Sequence, residues 1–362
     1  MKLLDNSSST PLAFRYVEFW DWFSQHAHAF FHTVKERHRI KEDFFNPLSL
    51  ALDRIKDGFY FQTGMMDDDT AELEISVEGA IENITFVEEL IQAAPSLPGW
   101  KFTAFKTATQ SKHISIKMSG FEFNTSTLTF YTNDEPEYPD EINLVVVHQD
   151  YTEENESTIW NGTLNFLDNY LGELAFATTI DRITVIGPQE AEQELIPLEK
   201  LHDFLIWRQK EFVEKYEGLR HQTEEDTYAT FDAELESGNR LVAIMNTDLL
   251  AWDAKASHPW VMVVGIPYDG EYSNGMPDDE TYATLDELED AIVSELPEGE
   301  GYLNLGRQTA DSRREIYFAC QDFRKPSQVL YQVQTHYAQI LEVTYEIYKD
   351  KYWQSFRRFN SY

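Results

Sequence analysis

From Phe14 onward the apolar positions recur at helical spacing. Phe14, Val17, Phe19, Trp20 and Phe23 make an aromatic face that Phe30, Phe31 and Val34 extend. Residues 14–57 are therefore predicted helical, interrupted at Asn46-Pro47, resumed through Leu48, Leu50, Leu52 and Ile55, and ended by Asp57-Gly58. The period then changes to two. Phe59-Tyr60-Phe61 reads as a strand, and Met65 to Thr70 as an acidic turn. Leu73, Ile75 and Val77 then alternate with Glu72, Glu74, Ser76 and Glu78, the pattern of a half-buried strand with a wet acidic face. A helix is predicted over 84–93, stopped by Pro95 and Pro98-Gly99. Strands follow at 100–107, 114–118, 128–131 and 142–148. Helices are predicted at 157–176 and 197–216, with a short strand at 183–186 between them.

The stretch Glu217 to Asp226 is polar and carries Gly218, which marks it as a linker candidate. Beyond it, strands at 228–235 and 240–246 join through Ser237-Gly238-Asn239, and 260–267 is an apolar, central-strand run. An acidic helix is predicted over 279–296, with Asp278 or Asp279 as its cap. A hairpin turns at Ala310-Asp311-Ser312, a helix covers 326–341, and a strand at 345–348 leads to the aromatic tail Trp353, Phe356 and Phe359. The pattern predicts an α+β protein of two domains, 1–220 and 226–362. Each is expected to be a small, mainly antiparallel sheet with helices packed on one face. A length of 362 residues suits two cores better than one. Both halves place strands before and after a helix, which leaves a distant internal repeat open.

Charge changes this picture. Asp and Glu number 64 against 29 Lys and Arg, a net charge of −35. The excess lies in residues 59–300, with 50 acids and 12 bases, while residues 301–362 hold 9 bases and 6 acids. Such a field repels nucleic-acid phosphates and anionic membranes and favours a basic protein or a cation. It also serves solubility without any partner. No stretch approaches the roughly 20 apolar residues of a membrane span, and the N-terminus lacks a signal-peptide core. The expected location is the cytoplasm. The single cysteine, Cys320, lies in the apolar run Ile316 to Cys320 and reads as a buried structural thiol.

Candidate chemistry is sparse. Phosphate-loop, dinucleotide-binding, serine-elbow and calcium-loop spacings are missing, and no cofactor is expected. His28 and His32 lie four apart on a predicted helix and could share a divalent metal, although such histidines are more often solvated or packed. His148 ends a strand, where a polar cap is the plain reading. Trp252, His258 and Trp260 bracket a loop beside the central strand and could line a pocket or simply cover a core. Arg313-Arg314 could clamp an anion or pair with nearby carboxylates.

Residues 225–360 resemble the bacterial domain-of-unknown-function family 695. The resemblance rests on Gly275-Met276-Pro277 before an acidic helix with Leu285 and Glu289, the strand Arg314 to Phe318, and the ending Asp350, Trp353 and Phe356. Phe356 stands where the family pattern expects Tyr. Gly79, Ala94-Pro95, Gly99-Trp100 and Ala104-Phe105-Lys106 resemble the region often found ahead of that domain. The resemblance implies no catalytic residues. Some relatives carry a neighbouring domain resembling an acidic inhibitor of ribonuclease E, which implies a regulatory or binding role. We therefore expect a non-enzymatic acidic module for a basic protein partner. The competing expectation is an enzyme or small-molecule binder with its site in an interdomain cleft or near Trp252, His258 and Trp260.

Overall fold

The computed structural model describes residues 11–109 and 114–359. The chain divides into two units, one from Pro11 to Glu214 and one from Lys215 onward. Helices and strands mix in both, so the fold class is α+β. Among the described residues, no helix is long and apolar enough to cross a membrane.

The N-terminal unit opens with α1 (Leu12–Glu36), a π-helical turn (Lys41–Phe45) and α2 (Asn46–Asp53). β1 (Tyr60–Met65), β2 (Ala71–Ser76) and β3 (Trp100–Ala104) form a three-stranded sheet, with α3 (Ile81–Gln92) crossing from β2 to β3. The Trp20 indole donates to the Leu90 carbonyl at 2.7 Å and its ring sits 4.5 Å from that of Phe102. The Trp100 indole donates to Ala27 O at 2.9 Å. Buried indoles need such acceptors, and these two fix α1 against α3 and the sheet.

Alternation alone predicts a wet acidic face on β2, and the structure corrects this. Glu74 is only 7% exposed. Its carboxylate accepts from Gln62 on β1, and burial raises its pKa. Glu72 accepts from the Thr103 hydroxyl on β3 and pairs with Lys101 at 2.9 Å. The neighbouring strands supply the donors that a buried carboxylate requires, and one strand's pattern cannot reveal them.

A hairpin of β4 (Ile116–Met118) and β5 (Phe121–Phe123) precedes the second sheet of this unit. That sheet contains β6 (Leu128–Asn133), β7 (Asn143–His148), β8 (Arg182–Ile186) and β9 (Ile196–Pro197) in the order β8-β7-β6-β9. α4 (Glu156–Leu171) and α5 (Glu173–Thr179) connect β7 to β8, and α6 (Leu201–Tyr216) follows β9. Phe130, Val146, Phe166 and Leu201 meet in its core. In both sheets the middle strand runs antiparallel to the strand before it and parallel to the strand after its helices. The repeated topology thus lies inside the N-terminal unit. The C-terminal sheet is antiparallel throughout.

The C-terminal unit holds β10 (Tyr228–Glu234), β11 (Arg240–Asn246), α7 (Thr247–Ala251), β12 (Trp260–Pro267) and α8 (Asp279–Glu295). β13 (Tyr302–Ala310), β14 (Arg313–Cys320), α9 (Arg324–Tyr337), β15 (Thr344–Lys349) and a 3-10 turn (Gln354–Phe359) complete it. The strand order is β10-β11-β13-β14-β12-β15. Asp278 caps α8, accepting from Thr281 N at 2.8 Å, and that bond lowers its pKa. Strand alternation sends Val261, Tyr317 and Ala319 to one face, where α7 and the aromatic tail cover them. The opposite face carries Arg307 and Arg314, which pair with α8. The polar stretch 217–226 is tied to this unit: Thr223 N and Oγ1 donate to Glu298, Gln321 donates to Leu219 O, and His221 pairs with Asp226.

Candidate functional site

An open groove of about 1050 Å³ runs beside β10, the edge strand of the C-terminal sheet. Residues 229–233 all border it; by strand alternation Ala229, Phe231 and Ala233 share the face that carries its apolar side, and Thr230 and Asp232 lie at its edge. α7 contributes Leu250 as one wall. The terminal 3-10 turn contributes Arg358 and Phe359 as the other, with the Phe359 ring 5.4 Å from that of Phe231. Arg358 is held at the wall through Tyr317, whose hydroxyl accepts from Arg358 at 3.2 Å and donates to Glu315 at 2.7 Å. Burial raises the Tyr317 pKa, so this link stays protonated.

The groove's lining carries one acid, Asp232, and one base, Arg358, while the chain segment that holds β10 is acidic. Residues 217–248 hold eight Asp and Glu against two Arg. Glu224, Glu225, Asp232, Glu234 and Glu236 are exposed. Of the two arginines, Arg240 is bound to Asp232, with Nε 3.1 Å from Oδ1, and Arg220 donates to the Gly299 carbonyl. Sequence reasoning identified β10 as a strand but not its position at the sheet edge, which only the strand order reveals.

Of the three residues Trp252, His258 and Trp260, the structure brings two together. The Trp252 and His258 rings are 5.6 Å apart, with Trp353 and His221 on other sides of Trp252 at 6.3 and 5.1 Å. Trp260 lies on the opposite face of the sheet, its ring 4.8 Å from that of Phe323 at the start of α9. His258 is fully buried. Ser257 Oγ donates to Ala254 O at 2.6 Å and so can only accept from His258 Nδ1 at 2.8 Å. The proton is thereby fixed on Nδ1, and Nε2 has no hydrogen-bond partner among the described residues. Burial, helped by the positive charge of Arg220 and by His221, holds the His258 pKa down at about 3.

Stability should therefore depend on pH through His258. The folded value of about 3 lies below the ordinary 6.5, so the unfolded chain takes up the proton first. The stabilisation is complete above about pH 6.5 and is lost as pH falls toward 3. At roughly 1.4 kcal/mol per pH unit, the loss by pH 5 is about 2 kcal/mol. Urea denaturation of the full chain at pH 7 and pH 5 should show a loss about 2 kcal/mol smaller in His258→Asn than in wild type, the remainder including His148, whose pKa burial also lowers. Equal pH dependence in both would refute it.

Arg313 and Arg314 are split by strand alternation and form no common clamp. Arg313 is partly exposed and lies 3.4 Å from Glu315 and 3.3 Å from Thr344. Arg314 is buried beneath α8 against Asp286 at 2.7 Å and stacks on Tyr282 at 4.8 Å. His28 and His32 lie on the outside of α1 with rings 4.6 Å apart. Among the described residues no group of three His, Cys, Asp or Glu is placed to hold a metal. His148 is buried with both ring nitrogens bonded, to Asp150 N and Glu122 O, and burial lowers its pKa. Cys320 is fully buried and its thiol pKa is raised by that burial, which favours an unreactive thiol.

Fold and groove define a class: an α+β protein whose C-terminal antiparallel sheet ends in an edge strand beside an open, partly apolar groove. Its C-terminal region, residues 236–360, matches a family of unknown function (DUF695). No curated protein and no solved structure matches the chain. The residues that carry the family likeness hold the framework. Gly275 adopts φ 76° and its carbonyl accepts from Ser312 N and Tyr268 OH, fastening the loop before α8 to the β13–β14 turn. A Cβ there would meet Asp311 Cα at 3.0 Å. Glu289 and Arg314 dock α8, and Trp353 and Phe356 are core.

Proposed function

We propose that this protein is a non-enzymatic binding or regulatory module of the cytoplasm, and that its C-terminal unit takes a basic protein partner in the groove beside β10. The observation that carries this reading is a groove with the apolar residues Ala229, Phe231, Leu250 and Phe359 in its lining, on a strand from an acidic chain segment. Apolar surface supplies affinity, while a one-signed field selects the partner's charge and speeds encounter. Each unit is acidic in itself. Residues 11–214 carry 36 acids and 15 bases, a net −21, and residues 215–362 carry 27 and 13, a net −14.

The test uses a fluorescent synthetic peptide of alternating lysine and valine, titrated with the full chain. Binding should weaken steeply with salt, because exposed charges are screened beyond a Debye length of about 10 Å. Phe231→Lys, which puts a cation in the groove floor, should lower affinity by about tenfold or more. Absence of binding, or binding indifferent to both salt and Phe231→Lys, removes the reading.

A further inference from the structure

β10 is more than one wall of the groove. Two hydrogen bonds outside the strand fix the phase of its ladder. Thr247 N donates to Thr227 O at 2.9 Å before the strand, and Leu235 N donates to Asn239 O at 2.9 Å after it. The register between them is continuous, from Tyr228 opposite Asn246 to Glu234 opposite Arg240. In an antiparallel pair, directly opposed residues alternate between those that exchange hydrogen bonds and those that do not. Thr227 and Leu235 are eight apart, so Ala229, Phe231 and Ala233 share their phase and bond to β11. Tyr228, Thr230, Asp232 and Glu234 then direct their N–H and C=O groups away from the sheet. Among the described residues β10 pairs with β11 alone.

Seven residues of extended backbone thus present outward hydrogen-bonding groups at every second position. The residues between them send side chains into the groove. Natural edge strands are usually shortened, bulged or covered, because such an edge is a template for another strand. The β10–β11 ladder has no register shift. The exposed side chains along the edge include Asp232 and Glu234.

We propose that the partner binds as an extended basic segment that adds to the sheet as a seventh strand alongside β10. The inference rests on the reading of the groove as a binding site and adds the geometry of the occupant. Its backbone pairs with Tyr228, Thr230, Asp232 and Glu234. Its side chains alternate, as any strand's do: those on the Phe231 side are apolar and cover the groove, and those on the other side are basic and face Glu234, beside the Asp232–Arg240 pair. A second copy of this chain fits less well, because it sets one acidic edge segment against another.

The lysine–valine peptide serves again as the probe, with two readouts. Amide exchange on the full chain should show new protection at Tyr228, Thr230, Asp232 and Glu234 when peptide is added. Ala229, Phe231 and Ala233 should be protected with or without it. Thr230→Pro removes one outward N–H and leaves the inner ladder intact, a position where strands tolerate proline. It should reduce affinity by about tenfold or more while the thermal midpoint stays near wild type. Peptide binding without new protection at the even positions overturns the strand-addition proposal and leaves the groove reading standing. So does undiminished binding by a folded Thr230→Pro. Failure of the wild type to bind removes both. Should Thr230→Pro not fold, the exchange pattern of the wild type decides alone. Protection of the even positions without peptide, together with a dimeric mass, overturns the proposal in favour of a second copy.

Discussion

Arg314→Ala is expected to destabilise the C-terminal unit by about 2–3 kcal/mol, from the void left beneath α8 and the hydrogen bonds lost by a buried guanidinium. The guanidinium is 1% exposed. It donates to Asp286 at 2.7 Å and to the Thr309 hydroxyl at 3.2 Å, and lies over the Tyr282 ring. The same patch holds Arg307, which donates to Glu289 at 2.8 Å, while Glu289 accepts from Asn304 at 3.2 Å. Alanine leaves Thr309 and Tyr282 beside a void and weakens the attachment of α8. Arg314→Met should cost less, because methionine refills the volume and Asp286, 37% exposed, keeps Arg307 at 3.4 Å and water. Arg314→Lys should not rescue fully, since an ammonium cannot reproduce the planar stack on Tyr282. Urea denaturation of the three variants gives the ranking. A loss under about 1 kcal/mol for alanine, a typical exposed-pair value, would mean that the network contributes little.

Trp353→Ala is expected to cost more, roughly 3–5 kcal/mol, the usual range for a buried Trp. Trp353 is 2% exposed and packs with Phe356, Phe359 and Trp252 over the face that carries Tyr317 and Ala319. Its indole also donates to the buried His258 carbonyl at 3.0 Å. The residue adopts φ 51°, a conformation that costs a bulky side chain about 1–2 kcal/mol. Packing therefore outweighs backbone strain, and Trp353→Gly, which relieves the strain, should still be strongly destabilising. The terminal 3-10 turn rests on this indole and provides Phe359 as a groove wall, so peptide affinity should fall along with stability. Limited proteolysis should cut the released tail first. Intact peptide binding in Trp353→Ala would show that the groove does not depend on the tail.

Local patterning made much of the architecture legible. The leading helix, the acidic helix with its Asp278 cap, the Asp311-Ser312 hairpin and the last strand follow from period and from cap and turn chemistry, which are near-neighbour effects. Family likeness was legible for the same reason: Gly275, Glu289, Arg314 and Trp353 are positions where backbone geometry or burial restricts the choice of side chain. The candidate site was much less legible. Trp252 and His258 meet, yet Trp260, two residues from His258, faces the other side of the sheet. Arg313 and Arg314, adjacent in sequence, point to opposite faces.

The amino-acid sequence by itself determined the class of the fold, most of its longer elements, the family likeness of its C-terminal region and the sign of its field. Those depend on composition and on residues within a turn or two of each other. Which strand ends the sheet, which carboxylates are buried and which apolar residues remain open to a partner were decided only by tertiary structure. Strand order and register come from pairings across long sequence separations: β10 meets β11 within the hairpin, but β11 then pairs with β13 some sixty residues later, leaving the far side of β10 unpaired among the described residues.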